Sequence, residues 1–229
     1  MEPGTTRTPS TPNRPPMRRS PSCRMPCMPR AGLTTGAVVE AGCSLADEVG
    51  LDSLSMASLA ERLGVRTPAL YKHIDGLGGL RHAIAVRGMN QMAELLEEAI
   101  QGSSRKDAVR AILASTRTYL RSHPGMYAAT LREELGDQSD PLLAASTRVV
   151  TCLRAALAGY DIAEADLDHA VRTVRCTVHG FAQLEAENAF HWDANVADSV
   201  EYLSDFIDRG LGGGGHPPHD EKRPIDRRS

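Results

Sequence analysis

The residues with the clearest chemical character lie at positions 66–73, in the sequence RTPALYKH. They offer a guanidinium, a hydroxyl, a methyl, a phenol, an ammonium and an imidazole group within eight positions. Arginine can bridge the acceptors of a guanine and a small methyl group can meet a thymine, whereas hydroxyl and cationic groups donate to phosphate oxygens. We therefore predict duplex DNA as the partner, with base edges met by Arg66, Thr67 and Ala69, and phosphates by Thr34, Ser55, Tyr71, Lys72 and His73.

Two short helices joined by a tight turn are predicted to position these side chains. Ser55 is a suitable N-cap for the first helix, and Gly64 suits the left-handed conformation that a sharp turn needs. Thr67 as N-cap and Pro68 at the first helical position begin the second helix, and Leu70 packs it inward. This pattern is typical of a helix-turn-helix, whose second helix enters the major groove. A helix-turn-helix used only for packing is the alternative, and it leaves the outward cationic side chains unexplained.

Other chemistries find little support in the residues. No nucleophile elbow, nucleotide-binding loop, paired-histidine metal motif or convincing catalytic triad occurs. No stretch reaches the roughly 20 apolar residues of a membrane span, and the N-terminus lacks the apolar segment of a signal peptide. We therefore expect a cytoplasmic protein that is not an enzyme, has no membrane segment and uses no metal or cofactor. The cysteines are scattered and odd in number, which favours a reducing compartment over a disulfide framework; they are Cys23, Cys27, Cys43, Cys152 and Cys176.

The net charge of -3 does not exclude DNA as a partner, because the charge is divided unevenly. Residues 1–30 carry six Arg and one Glu, whereas residues 31–211 carry 16 basic and 25 acidic residues. The first segment is also rich in Pro, Ser and Thr and lacks hydrophobic periodicity. It is interpreted either as a disordered arm that touches DNA or as the product of a misassigned start, with Met25 or Met28 as the true one.

The remaining chain is predicted to be all-α, with about nine helices. The composition favours helix packing because Ala, Leu, Val and Met dominate and only three Phe and one Trp occur. We expect a DNA-binding domain over 31–80, a regulatory and dimerisation domain over 81–211, and a disordered tail over 212–229. The first helix begins at Thr34 or Thr35 and stops at Gly50, and the later ones are expected at 77–101, 104–122, 124–134, 141–158, 163–190 and 196–211.

With that motif in place, the chain resembles the TetR family of transcriptional regulators. The residues that carry the resemblance span about 50 positions and include Gly50-Leu51, Leu54-Ser55-Met56, Leu59-Ala60, Leu63-Gly64-Val65, Ala69-Leu70-Tyr71-Lys72-His73 and Leu80. Val178-His179-Gly180-Phe181 resembles the branch whose regulatory domain contains a His-Gly motif. One departure is Leu77, where many members carry a Lys that contacts phosphate; Arg81 and His82 are candidates to replace it.

The resemblance implies a homodimer formed by the last two long helices. A stripe at helical intervals on the helix over 163–190 is compatible with such an interface, and consists of Leu167, Ala170, Val174, Val178 and Phe181. Periodicity alone does not separate this interpretation from a stripe that packs inside one chain. Two recognition helices about 34–36 Å apart would read successive major grooves of a palindromic operator.

The resemblance also implies a repressor that a small-molecule inducer releases from its operator. Adaptable or amphipathic side chains on inward faces are the candidates to line the inducer pocket, namely Met89, Met92, Leu96, Tyr119, Tyr127, Cys176 and His179. Each of them also suits an ordinary hydrophobic core. The alternative function is a helical adaptor that binds protein and responds to no ligand; salt-sensitive retention of duplex DNA distinguishes the two.

Overall fold

The structure is a computed structural model that describes residues 33–213, which contain helices and connecting turns and no strand. The predictions for the arm at 1–30, for Cys23 and Cys27, and for most of the tail lie outside the described residues. Nine α-helices confirm the all-α prediction for the described part. They are α1 (Thr35–Val49), α2 (Met56–Leu63), α3 (Thr67–Leu70), α4 (Gly76–Ala99), α5 (Arg105–Ser122), α6 (Pro124–Arg132), α7 (Pro141–Leu157), α8 (Glu164–Ala186) and α9 (Val196–Gly212).

Side-chain caps fix the start of several of these helices. The hydroxyl of Thr34 accepts a hydrogen bond from the backbone N–H of Ala37 at 3.2 Å, as predicted for the start of α1. Asp140 and Asn195 accept backbone N–H bonds at the starts of α7 and α9 in the same way. Each cap satisfies a donor that the helix itself leaves unpaired.

The end of α8 was predicted four residues too late. The helix stops at Ala186 because Asn188 adopts a left-handed conformation with φ of 52°. The N–H of Ala189 then donates to the carbonyl of Leu184, and the N–H of Asn188 to that of Glu185. This pair of bonds is a Schellman motif, in which asparagine replaces the usual glycine.

The predicted N-cap of the second motif helix was wrong by one residue. Arg66 is the N-cap of α3, without a side-chain hydrogen bond, and Thr67 is the first helical residue. The helix is a single turn, after which the N–H groups of His73 and Ile74 both donate to the carbonyl of Leu70. Bonds of this kind tighten the last turn of a helix, so residues 71–73 continue the surface of α3 as a compact turn.

Helix α5 lies at the centre of the larger hydrophobic core. It packs against α4, α6, α7, α8 and α9, and seven of its residues are buried, namely Ala108, Val109, Ile112, Leu113, Thr116, Tyr119 and Leu120. Residues at these intervals form one buried face of α5, and residues such as Arg110 and Ala114 lie on its exposed face. The helices around α5 therefore enclose the space in which a ligand cavity can form.

Helix α4 connects the region of the helix-turn-helix to that core. Its first turns pack against α1 so closely that a Cβ atom on Gly42 would lie 2.8 Å from Cδ1 of Leu80. Further along, Met89, Met92 and Leu96 are buried in the region of α6 and α7. The domain boundary expected after residue 80 thus falls inside one continuous helix, and the described residues from Thr34 onward form one compact unit.

Candidate DNA-binding surface and ligand cavity

The turn between α2 and α3 has the conformation that its sequence predicts. Gly64 is left-handed, with φ of 65° and ψ of 31°. Its N–H donates to the carbonyl of Glu61, and the N–H of Val65 donates to that of Ala60, which closes a Schellman motif. Only three residues therefore separate the two helices.

The start of α2 is held by a reciprocal pair of serines. The hydroxyl of Ser55 accepts from the N–H of Ser58 at 3.1 Å, and the hydroxyl of Ser58 accepts from the N–H of Ser55 at 3.2 Å. This is a capping box in which Ser58 replaces the more usual Glu or Gln. Ser58 was not among the predicted residues, although the sequence has a hydroxyl residue three positions after Ser55, where a capping box places its second partner.

Helix α3 lies on the surface with its predicted inward residue buried. Leu70 is fully buried, and Leu59 and Ala60 are the buried residues of α2 nearest the turn. Tyr71 is 58% exposed, and Arg66 and Lys72 are exposed as well. The short helix is therefore available to a partner, as a helix that reads a groove must be.

The other predicted contact residues differ in their exposure. Thr34 is exposed, whereas Ser55, Thr67, Ala69 and His73 are partly exposed. No described carboxylate pairs with Arg66 or Lys72, and both cations are therefore free to meet an anion. The specific contacts with bases and phosphates stay predictions.

The two residues suggested to replace a phosphate-binding lysine face other groups. Nη2 of Arg81 donates to the carbonyl of Leu51 at 3.4 Å, and its Nε atom is buried without a hydrogen-bond partner. Nε2 of His82 lies 3.1 Å from a carboxylate oxygen of Asp140. These contacts occupy part of each side chain, and a phosphate contact by either residue stays a prediction.

A cavity of about 260 Å³ lies among α4, α5, α6, α7 and α8. Six of the seven residues predicted for a pocket line it, namely Met89, Met92, Leu96, Tyr127, Cys176 and His179. Tyr119 does not, which corrects that prediction: its hydroxyl donates to the carbonyl of Gly88 at 3.1 Å. Gly88 is itself closely packed against α6, because a Cβ atom there would lie 3.1 Å from Cγ2 of Thr130 and 3.2 Å from the carbonyl oxygen of Met126.

Tyr127 and His179 form the polar centre of the cavity. The tyrosine hydroxyl lies 2.8 Å from Nδ1 of the histidine, and the rings are stacked with centroids 5.7 Å apart. Burial raises the pKa of Tyr127 to about 12, so the phenol keeps its proton. Burial and, secondarily, the charge of Arg175 lower the pKa of His179, and the imidazole is neutral at pH 7.

Sequence reasoning missed two cationic residues of this cavity. Arg172 and Arg175 line it together with Cys176 and His179. These positions recur on one face of α8, since residues three, four and seven apart are neighbours on a helix. That spacing is the signal in the sequence that places both arginines on the same face as His179.

The stripe predicted as a dimer interface lies partly in the core of one chain. Val174 and Val178 are buried, at 1% and 3% exposure, in the cluster around α5. Leu167, Ala170 and Phe181 pack against the same cluster. Because their own chain buries Val174 and Val178, these two side chains are not available to a second copy. Leu167, Ala170 and Phe181 remain partly exposed, and their place in an interface stays a prediction.

The described residues contain neither a cluster of metal ligands nor a helix that could span a bilayer. Among residues 33–213, no three His, Cys, Asp or Glu side chains come together as a metal ion would require. In the same range, no helix is at once long enough and apolar enough to cross a bilayer.

The helical region behind the helix-turn-helix matches a known family. Residues 109–207 fit a family model described as "Tetracyclin repressor-like, C-terminal domain". This span includes the residues that α5, α6, α7 and α8 contribute to the cavity, apart from the α4 side. The match therefore concerns the region around the cavity rather than the helix-turn-helix.

Two bacterial proteins are similar to this chain over most of their length. "Uncharacterized HTH-type transcriptional regulator Rv0681" of Mycobacterium tuberculosis is 31% identical over 188 residues, which cover 81% of this chain and 86% of the relative. "Uncharacterized HTH-type transcriptional regulator YobS" of Bacillus subtilis is 30% identical over 176 residues, which cover 76% and 90%. The similarity thus extends through both the DNA-binding part and the helical region.

A solved structure shares the same arrangement of helices. A protein of unknown function from Rhodococcus sp. RHA1 superposes with a TM-score of 0.67 at 25% identity, covering 81% of this chain and 99% of that chain. The fold of this chain is therefore one that an experimental structure also displays.

Proposed function

The chain belongs to the TetR family of DNA-binding transcriptional regulators, and from this premise we propose that it is a repressor released from a palindromic operator by a small molecule. The observation that carries the proposal is the course of α4. This helix begins directly after the helix-turn-helix and lines the cavity with Met89, Met92 and Leu96. A ligand in the cavity therefore touches the element that supports the DNA-binding part.

We infer that α3 and the following turn enter the major groove. Arg66, Thr67 and Ala69 are proposed to meet base edges, since they begin the short helix whose N-terminal end approaches the groove floor. The proposed phosphate contacts are Thr34, Ser55, Tyr71, Lys72 and His73. Thr34 and Ser55 support this assignment because both stand at helix N-termini, which favour bound anions.

The proposed repressor is cytoplasmic. It acts as a homodimer, because one helix-turn-helix alone makes too few contacts to select a specific operator. The surface proposed for the second copy differs from the stripe expected from the sequence. Leu184 on α8 and Tyr202 and Phe206 on α9 are 46%, 69% and 61% exposed. Among the described residues nothing lies within 4 Å of a Cβ atom placed on Gly180 or Gly210, so another helix can approach closely there.

Helix α6 is the proposed route from the cavity to the DNA-binding part. It lines the cavity with Tyr127 and Thr130 and meets α1 at its own first turn. There the carboxylate of Asp47 accepts from the N–H of Met126 at 2.9 Å and lies 2.9 Å from Nδ1 of His123. A ligand would weaken DNA binding only by favouring an arrangement of α1 and α6 that spaces the two recognition helices wrongly.

Selection of genomic fragments on the immobilised full-length protein tests this function. We expect a palindromic sequence whose half-sites are about 10 base pairs apart, with an affinity that falls steeply as salt rises. A screen of small molecules for release of the selected duplex then tests the inducer response. Failure to retain any duplex in dilute buffer would contradict the proposal and favour an adaptor that binds protein.

A further inference from the structure

The polar groups around the cavity have an uneven charge. Among the described residues that line it, two are arginines and none is an aspartate or a glutamate. Arg172 and Arg175 are both exposed at its edge. Neither has an ion pair or hydrogen bond with another described residue. The cavity therefore has a positive edge above a mostly apolar interior.

Unpaired arginines are not the rule in this part of the molecule. Arg117 on α5 donates two hydrogen bonds of 2.5 Å to Glu185, and Arg148 on α7 donates two to Glu97 at 3.0 and 2.8 Å. A bidentate contact of this kind is the geometry that a guanidinium offers to any carboxylate. Arg172 and Arg175 keep that capacity for a carboxylate that the described chain does not supply.

The centre of the cavity also offers a donor. When the protonated Tyr127 hydroxyl donates to Nδ1 of the neutral His179, the remaining hydrogen of the imidazole sits on Nε2. The hydroxyl of Thr130 is already used, since it donates to the carbonyl of Tyr127 at 2.7 Å. Besides the hydroxyl of Thr116, which also lines the cavity, the free polar hydrogens belong to an imidazole and two guanidinium groups, and all of them suit an acceptor.

We propose that the cavity binds a compact anionic amphiphile, a monocarboxylate with an apolar body, whose carboxylate pairs with Arg172 and Arg175. The apolar body lies among Met89, Met92 and Leu153, whose flexible or branched side chains line the interior. The volume of about 260 Å³ is slightly below the usual range of about 300–1,000 Å³ for small-molecule sites, which favours a short chain. This inference rests on the proposed function, since it assigns a ligand class to the same effector cavity.

Three ligands of equal chain length separate charge from hydrophobicity: octanoate, 1-octanol and octylamine. We expect octanoate to bind the full-length protein about tenfold more tightly than either of the others, as measured by calorimetry. This preference should shrink as salt is raised from about 0.05 to 0.5 M, because both guanidinium groups are exposed. Arg172→Gln/Arg175→Gln should abolish it, while Arg110→Gln/Arg154→Gln, which removes two charges outside the cavity, should retain it.

The position of the ligand is tested by protection of Cys176, which is exposed and lines the cavity. In a Cys23→Ser/Cys27→Ser background the other two cysteines are buried, so alkylation reports on Cys176, and octanoate should slow it. The proposal is overturned if octanol or octylamine binds as tightly as octanoate, if none of the three binds, if the preference survives loss of both arginines, or if Cys176 is not protected.

The selected operator duplex distinguishes failure of this inference from failure of the proposed function. If octanoate binds more tightly than octanol and octylamine but leaves operator affinity unchanged, the result contradicts release by a ligand in this cavity. The preference of the cavity for an anionic ligand would still hold. Release of the duplex by octylamine but not by octanoate has the opposite meaning: the repressor is ligand-responsive, and the anionic ligand class is wrong.

Discussion

The cationic side chains of the helix-turn-helix and those of the helical region behind it differ in their partners. Arg66 and Lys72 form no ion pair with a described carboxylate, although Arg62 on α2 pairs with Glu48. Most arginines on the helical region are paired with acidic residues. Arg172 and Arg175, at the edge of the cavity, are exceptions in that region. Of the described cations without an ion pair, Arg66 and Lys72 lie on the surface proposed to bind a polyanion, and Arg172 and Arg175 lie at the cavity proposed to bind a small carboxylate. Arg81, which donates to a backbone carbonyl, and Arg209 lie on neither surface.

The junction between the two regions should show the largest effect of substitution. A Cβ atom on Gly125 would lie 2.1 Å from the carbonyl oxygen of Ala46 and 2.7 Å from the backbone nitrogen of Asp47. Because backbone cannot move aside as a side chain can, Gly125→Ala should lower the free energy of unfolding by about 3 kcal/mol or more. Urea denaturation at a fixed protein concentration measures this loss.

Gly78→Ala is the matched control for that substitution. Nothing among the described residues lies within 4 Å of a Cβ atom at this helical position, and alanine favours helix by up to about 1 kcal/mol over glycine. We expect unchanged or slightly raised stability. If both alanine variants were equally stable, the tight contact between α1 and α6 would be absent in solution.

Substitution of Arg66 and of Lys72 should have different effects on DNA binding. Arg66→Ala should cost about 2 kcal/mol at each half-site and relax the preference for one base pair. Lys72→Ala should cost less and weaken binding to all sequences alike, because a phosphate contact carries no sequence information. Competition binding to the selected operator and to single-base variants measures both effects.

Arg172→Ala provides the comparison from the cavity. It removes the same charge, and we expect no change in operator affinity when no ligand is present. An equal loss for Arg172→Ala and Lys72→Ala would mean that net charge, rather than the position of the cation, determines binding. Uniform loss on every sequence for Arg66→Ala would remove that residue from the base-reading set.

Asp47→Ala tests how firmly α6 is held to α1. The carboxylate caps the first turn of α6 through the N–H of Met126, and loss of such a cap costs about 1–2 kcal/mol. Asp52→Ala, which removes an exposed ion pair with Arg132, should change stability little. Equal effects of the two substitutions would indicate that Asp47 acts only as a surface charge.

The smallest expected effect concerns the start of α2. Ser55→Ala removes the cap and should lower stability by about 1 kcal/mol, whereas Ser55→Gly should cost only a few tenths. Thermal unfolding of the three proteins at one concentration resolves this difference. A larger loss for glycine than for alanine would contradict the capping role.

The helix-turn-helix was predictable because its determinants are local. Ser55 and Gly64 act on backbone groups within a few residues of themselves, and such contacts are visible in a sequence. The error at Thr67 has the same origin: Pro68 is allowed at either of the first two helical positions, so the cap can lie one residue earlier.

The cavity and the dimer surface depend on contacts between distant segments. The spacing of Val174 and Val178 predicted a buried face of α8 correctly, but not that α5 of the same chain covers it. The role of Tyr119 was missed for a similar reason, since its hydroxyl donates to the carbonyl of Gly88, 31 positions away. Periodicity identifies which side chains share a face, and only the packing of whole helices decides what that face meets.

The length of α4 has a mechanical consequence. From Met92 in the cavity to Gly76 at the start of the helix the chain rises by about 24 Å, at about 1.5 Å per residue. A straight helix behaves as a lever over this distance, and a rotation of about 5° about the cavity would displace its far end by about 2 Å. A ligand that shifts a few methionine side chains can thus change the distance between the two recognition helices of the proposed dimer without unfolding any part of the chain.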